Sequence, residues 1–412
     1  MFAARMLPAL GPVLIATLVL AGACSGGDDD DGAAGSSAAG NGGITGASGA
    51  GAGGSATPAG SGGGAGNGVG GGGGGSSGSA AAGGGAGGAG GSGGTAGSAG
   101  STAGNAGSAA GVGGSAGSAG SGPTGPGSWT QGKVMPTIRT ELAVAELDGK
   151  IYVAGGFGGL NAFEVYDPTA DSWASLADLP ENREHPSLAA LRGKIYMMGG
   201  GTGSGLGGAT DATFEYDPAA DAWMPRGLLV HPRYASAAVT LDDHIYLLGG
   251  TGQQPQVMQR YDADMDRWEP RAALSVVRDH VAAVVLNGKI YALAGRMGVG
   301  SAYTSMEVYD PAMDEWSPGP DMKDGRAGFG AAAIDGRIYV AGGEVLIQPF
   351  SVRDSVEELD VAAGTWSFKT KLPGPLHGIG AAALGGKMYV LGGAANPASA
   401  TPRTGVVNVF QP

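Results

Sequence analysis

The chain has 412 residues, 86 of them glycine and one cysteine, and carries 36 acidic against 23 basic side chains for a net charge of −13. An acidic chain with no basic stripe is poorly matched to a phosphate backbone, which excludes nucleic acid as a partner. With one cysteine there is no internal disulfide framework.

Residues 1–23 open with Arg5 ahead of an apolar run from Leu7 to Ala23, broken by Pro8, Gly11 and Pro12. That run falls short of the roughly 20 unbroken apolar residues of a membrane span and fits a secretory signal. Residues 24–127 are mostly Gly, Ala and Ser, with no aromatic residue between Phe2 and Trp129. Such a segment buries too little apolar surface to offset its ordering entropy, so a disordered tether is expected. At about 100 Gly-rich residues it would reach roughly 50–60 Å. The stretch Leu20-Ala21-Gly22-Ala23-Cys24-Ser25 resembles the bacterial lipoprotein box, with Ala21 where that family usually has Leu. Ordinary cleavage after Ala21-Gly22-Ala23 would cut at the same place. The resemblance implies lipidation of Cys24, export, and attachment to the membrane through the lipid alone. Ser25 is compatible with sorting to the outer membrane, with the folded part in the periplasm or at the cell surface.

The rest of the chain, residues 128–412, holds 22 bases against 32 acids and is a repeat. Its landmarks are Trp129, Trp173, Trp223, Trp268, Trp316 and Trp366, each followed by a small doublet at an interval that never varies, as from Trp129 to Gly155-Gly156 or from Trp268 to Ala294-Gly295. A Tyr-Asp or its substitute precedes the next Trp by seven residues, at Tyr166, Tyr216, Tyr261, Tyr309 and Leu359, with Phe410 ending the series. Period-2 apolar patterns give four strands per unit, in the third unit over 235–241, 245–250, 257–261 and 267–270. Strand units at a period of about 40 to 50 residues predict a propeller.

The doublet, the Tyr-Asp-Pro and the Trp seven residues after the Tyr resemble the kelch repeat. The resemblance covers residues 128–412 and implies an all-β, six-bladed β-propeller of four-stranded blades. The parts run one out of step, since Trp129 belongs to an outer strand that precedes any other and Phe410 to a third strand with none after it. The strand near Trp129 is therefore expected to complete the last blade and close a monomeric ring.

Between doublet and Tyr the interval changes from unit to unit, short from Gly156 to Tyr166 and longer from Gly200 to Tyr216, so all length variation falls in one loop per blade. These loops and the crossings between blades share one face, and variable loops on a rigid scaffold are where binding concentrates. The same face gathers Arg139, Arg183, Arg233, Arg278 and Arg326, each at the same distance ahead of its doublet, with Leu376 beside His377 in the sixth unit. Glu141, His185 and His280 lie two positions after three of these arginines, Glu184, Tyr234 and Asp279 lie between, and Phe157, Tyr303, Phe350, Arg296 and Glu344 lie in the loops. The arginines admit two readings: ties that hold a loop or pair with an acid such as Glu164 or Glu307, or a ring of guanidinium forks aimed at a ligand carboxylate or sulfate. Arginines at the corresponding position of kelch domains that bind acidic peptides contact the ligand. A zinc site at His185 and His280 needs a third donor that the sequence does not place, so exposed rim histidines, no metal and no cofactor are expected.

These residues predict a tethered recognition module for a protein, peptide or glycan. The alternative is an exported enzyme resembling a bacterial sialic-acid mutarotase, with rim arginines holding a carboxylate and Glu184 or His280 moving a proton. A galactose-oxidase-type radical enzyme is excluded, because its Tyr-Cys cross-link requires a cysteine in the propeller.

Overall fold

The computed structural model describes residues 125–203 and 208–412. The predicted signal segment, Cys24 and nearly all of the predicted tether lie outside the described residues. Residues 125–127, assigned above to the tether, are already part of the fold: Thr370 donates its N–H to the Pro126 carbonyl at 2.8 Å, and its hydroxyl to the Gly127 carbonyl at 2.7 Å.

Six four-stranded antiparallel sheets form a ring of blades, and no helix occurs among the described residues. Blade one consists, from the axis outward, of Ala143–Leu147, Lys150–Ala154, Phe163–Asp167 and Ser172–Ser175. The inner hairpin of every blade turns on two residues with positive φ, among them Asp148-Gly149, Asn287-Gly288 and Gly385-Gly386. Two such residues make the tight turn that matches strand twist. On the same end of the molecule, the Asp of each Tyr-Asp caps the next turn, as where Asp167 Oδ1 accepts the Thr169 and Ala170 N–H groups at 2.9 and 3.2 Å.

Strands at the axis are alanine-rich because the ring is narrowest there. Gly330–Ile334 and Ala237–Leu241 are buried throughout, and a Cβ on Gly380 would overlap the Val144 side chain of the next blade. In the third unit the strands are Ala237–Leu241, His244–Leu248, Val257–Asp262 and Arg267–Ala273. The first two are shorter than expected, since Ala235, Gly249 and Gly250 take positive φ and interrupt the ladder.

Between blades, the repeated Trp and Asp grip one residue of the preceding blade from both sides. Asp221 Oδ1 accepts the Ala177 N–H at 2.8 Å and the Tyr216 hydroxyl at 2.7 Å, while Trp223 Nε1 donates to the Ala177 carbonyl at 3.1 Å. The same clamp holds Lys133 through Asp171 and Trp173, and Ala272 through Asp314 and Trp316. The tyrosines rather than the tryptophans are the deep wedges: Tyr166, Tyr216, Tyr261 and Tyr309 are buried, whereas four of the six tryptophans are only partly so. We expect Trp223→Phe, which keeps the ring but deletes this donor, to lower the unfolding free energy by about 0.5–1.5 kcal/mol in urea titrations.

The last blade takes Ser128–Gly132 as its outer strand, paired in register with Val407–Gln411. The ring is closed as the count of parts predicted.

Candidate functional site at the propeller axis

The five strand-start arginines are each at most 1% exposed. Arg139 Nη1 donates to the Ala162 carbonyl at 2.7 Å and its Nη2 meets Glu164 Oε2 at 2.5 Å. Arg278 repeats this with the Ala294 and Ser305 carbonyls at 2.8 and 2.9 Å and Glu307 at 2.8 Å. Arg326 does so with Gly342, Ser355 and Glu357. Arg233 lacks an acid and holds the Gly249, Gln254 and Pro255 carbonyls. Arg183 pairs with Glu181 at 2.5 Å. Burial pushes the Arg139 and Arg233 guanidinium pKa down to about 10. Of the two readings of these arginines, the geometry matches the loop ties. The forks of Arg139, Arg233, Arg278 and Arg326 face inward onto loop carbonyls, and that of Arg183 holds Glu181 and the Asn182 carbonyl.

What does converge lies two residues further on. At this position each blade donates its N–H to the carbonyl of the equivalent residue in the blade before: Glu141 to Gly378 (2.7 Å), His185 to Glu141 (3.2 Å), Ala235 to His185 (3.2 Å), His280 to Ala235 (2.9 Å), Gly328 to His280 (3.0 Å) and Gly378 to Gly328 (2.7 Å). The six bonds close on themselves around the axis. All six residues adopt left-handed φ, from 48° to 62°. That conformation turns each side chain toward the axis. His185 and His280, in two of these seats, are buried rather than exposed on the rim, which corrects the expectation for both; His377, one residue before the Gly378 seat, is buried as well.

The residue just before each of these seats pairs with the residue just after the doublet, as Thr140 with Phe157, Glu184 with Gly201, Asp279 with Arg296, and His377 with Ala394. This second tier brings Arg296 and Glu344 to the histidines. His280 Nδ1 lies 2.6 Å from Asp279 Oδ1, and His185 Nδ1 makes a very short contact with Glu184 Oε2. Glu141 Oε2 lies 3.3 Å from His185 Nε2 and 3.9 Å from His280 Nε2, and its Oε1 lies 3.7 Å from His377 Nδ1. Arg296 reaches Asp279 at 3.3 Å, Glu344, and His280 Nε2 at 3.3 Å. Phe157 and Tyr234 edge onto the His185 ring, with centroids 5.4 and 6.0 Å away.

Burial alone would raise the Glu141 carboxyl, but the surrounding histidines, His185 foremost, outweigh it and hold the group below the ordinary carboxylate range. Burial opposes charge on His185 and His377, and the neighbouring carboxylates reverse that and raise both. Asp279 is lowered against its burial by His280 and Arg296.

Among the predicted residues, His185, His280, Tyr234 and Phe157 thus meet at the axis. Tyr303 lies apart, under the Arg278 guanidinium at 5.6 Å, and Phe350 sits half-exposed in its loop. The other cluster residues, Glu141, Glu184, Asp279, Arg296, Glu344 and His377, were placed on the same face by their offsets from the arginine and the doublet, but not as members of one cluster.

Residues 138–180, 278–323 and 325–373 match the Kelch motif, one match in each of blades one, four and five. The fold is a six-bladed β-propeller with Kelch motifs in three of its blades. A solved structure titled "Structure of YjhT" shares this fold with a TM-score of 0.59 at 16% identity, over 66% of this chain and 94% of that one. No curated protein matches the chain by sequence.

Proposed function

We propose that the chain is an exported lipoprotein, anchored through Cys24 and held off an outer membrane on its Gly/Ala/Ser tether, whose kelch propeller recognises a partner in the periplasm or at the cell surface. The observation that carries this reading is where apolar surface is left uncovered. Of the eleven large apolar side chains exposed among the described residues, seven lie in the variable loops and blade crossings of one face: Val134, Ile138, Leu228, Val230, Met297, Val299 and Ile347. Apolar side chains collected on one face mark an interaction surface. Aliphatic and Met side chains suit a polypeptide better than a glycan, which favours a protein or peptide partner.

The test is selection of binders to the full chain from a displayed peptide library, alongside a glycan array. Peptides should be recovered, and the Met297→Ser/Val299→Ser/Ile347→Ser variant should lose them at least about tenfold, roughly 1.4 kcal/mol. Met265→Ser/Met313→Ser, on the opposite face, should leave binding unchanged. Recovery of glycans alone, or equal loss in both variants, would count against the reading.

Arg296 beside buried carboxylates and histidines favours a second reading, an exported carbohydrate epimerase of the mutarotase type in which Arg296, not the strand-start arginines, holds a substrate carboxylate. Catalysed interconversion of sialic-acid anomers, followed by NMR and abolished by Arg296→Gln, would establish it in place of the first.

A further inference from the structure

The axial cluster contains an arrangement that neither reading of the loop face requires. A carboxylate can only accept hydrogen bonds, so the Nδ1 atoms of His185 and His280, set against Glu184 and Asp279, carry hydrogens. Each Nε2 is thereby turned toward Glu141 Oε2, at 3.3 and 3.9 Å. Among these three buried residues the donor atoms lie within 4.8 Å of one another. Two ring nitrogens and an anionic oxygen thus face one point, where a metal ion or a proton would balance them.

Backbone geometry raises the significance of these side chains. The three donors occupy seats with left-handed φ, where a residue with a Cβ costs about 1–2 kcal/mol relative to glycine. Equivalent seats at Gly328 and Gly378 have no side chain, and Ala235 has only a methyl. Strained, bulky side chains retained where glycine fits are the kind of outlier that gathers at functional positions.

We propose that Glu141 Oε2, His185 Nε2 and His280 Nε2 form a binding site for a divalent transition-metal ion of the zinc class on the propeller axis. Bonds of about 2.0–2.1 Å to a tetrahedral ion set donors roughly 3.4 Å apart, against 3.3 and 3.9 Å from Glu141 Oε2 to the two ring nitrogens. Two imidazoles and one carboxylate select zinc, cobalt, nickel or copper over calcium or magnesium. Glu184 and Asp279 stand where carboxylates orient metal-bound histidines and fix their tautomer. His377 faces the other oxygen of Glu141 through Nδ1, which has no hydrogen-bond partner, while its Nε2 is held by the Asn396 and Ser399 carbonyls at 2.8 and 3.1 Å. Arg296 donates to the His280 Nε2 lone pair at 3.3 Å, and Asp279 and Glu344 would keep it in place when that lone pair turns to an ion.

The experiment uses the full chain stripped with chelator and titrated with Co²⁺ and Zn²⁺. One Co²⁺ per chain should bind with the visible absorption of a low-coordinate site, Zn²⁺ should displace it, and Zn²⁺ should raise the melting temperature of the unaltered chain. Glu141→Gln and His280→Gln should each weaken binding about 10–100-fold, an expectation set by losses on disturbing metal sites. Their metal-free melting curves show whether they fold. His231→Ala/His244→Ala, which removes the two histidines outside the cluster, should bind as the parent does. The proposal is overturned if the unaltered chain gains neither absorption nor thermal stability, or if binding follows His231 and His244. The first of those results would leave protons as the charges that balance the cluster.

Discussion

Replacing Arg326 with alanine lowers the unfolding free energy of the propeller by about 3–5 kcal/mol, the loss typical when one partner of a buried ion pair is removed. Arg326 and Glu357 are both fully buried, with Nη2 and Oε1 2.6 Å apart. The same guanidinium donates to the Gly342 and Ser355 carbonyls at 2.8 and 2.9 Å, which fastens the fifth blade's variable loop to its framework. Burial lowers the Arg326 pKa and Glu357 opposes that shift, so the pair supports its own charge only while both members remain. In the alanine variant Glu357 keeps the Lys323 and Asp324 N–H groups, at 2.8 and 3.1 Å, but loses its counter-charge. Arg326→Met combined with Glu357→Gln should recover much of the loss. Equilibrium urea unfolding measures both, and a cost below about 1 kcal/mol for Arg326→Ala would show that the tie is dispensable.

Deleting residues 125–132 from the otherwise complete chain should cost at least about 5 kcal/mol, because it combines a large aromatic truncation with loss of a whole strand. The deletion removes five paired positions against Val407–Gln411 and the Trp129 ring, 4.9 Å from Phe410. It also removes the Trp129 Nε1 bond to the Thr370 carbonyl at 2.9 Å, which joins the closing strand to blade five. The Val407–Gln411 edge is left with unpaired N–H and C=O groups, a template for pairing with another chain. Calorimetry should record a large fall in melting temperature, and size-exclusion chromatography should record concentration-dependent association. The parent's melting temperature and elution would mean that the ring does not depend on this strand.

The framework was legible because its signals are backbone signals. From one Trp to the next doublet the chain runs through outer strand, crossing, inner strand, tight turn and second strand, and the ring tolerates no change of length along that path. Hence the constancy of that interval and the closing role of Trp129 could both be read before any coordinates. The orientation of Arg139 and its counterparts was not legible, because it depends on where the loop carbonyls fall once each glycine doublet turns. The burial of His185 and His280 was hidden for a different reason. It follows from hydrogen bonds between residues a whole repeat apart that exist only when all six blades are present. Glu141 occupies a seat equivalent to those of both histidines, yet nothing in one repeat says that equivalent seats in different repeats point at one spot.

The circle of peptide bonds at the axis separates scaffold from equipment. Each link uses main-chain atoms alone, so the circle persists whichever side chain a blade contributes. Blades one, two and four are furnished, blade five is bare, and Gly378 of blade six is hemmed in by Thr140 and Glu141. Ala235 is the unfurnished seat that already carries a Cβ, and one codon there could add another functional group to the mouth without redrawing the wheel.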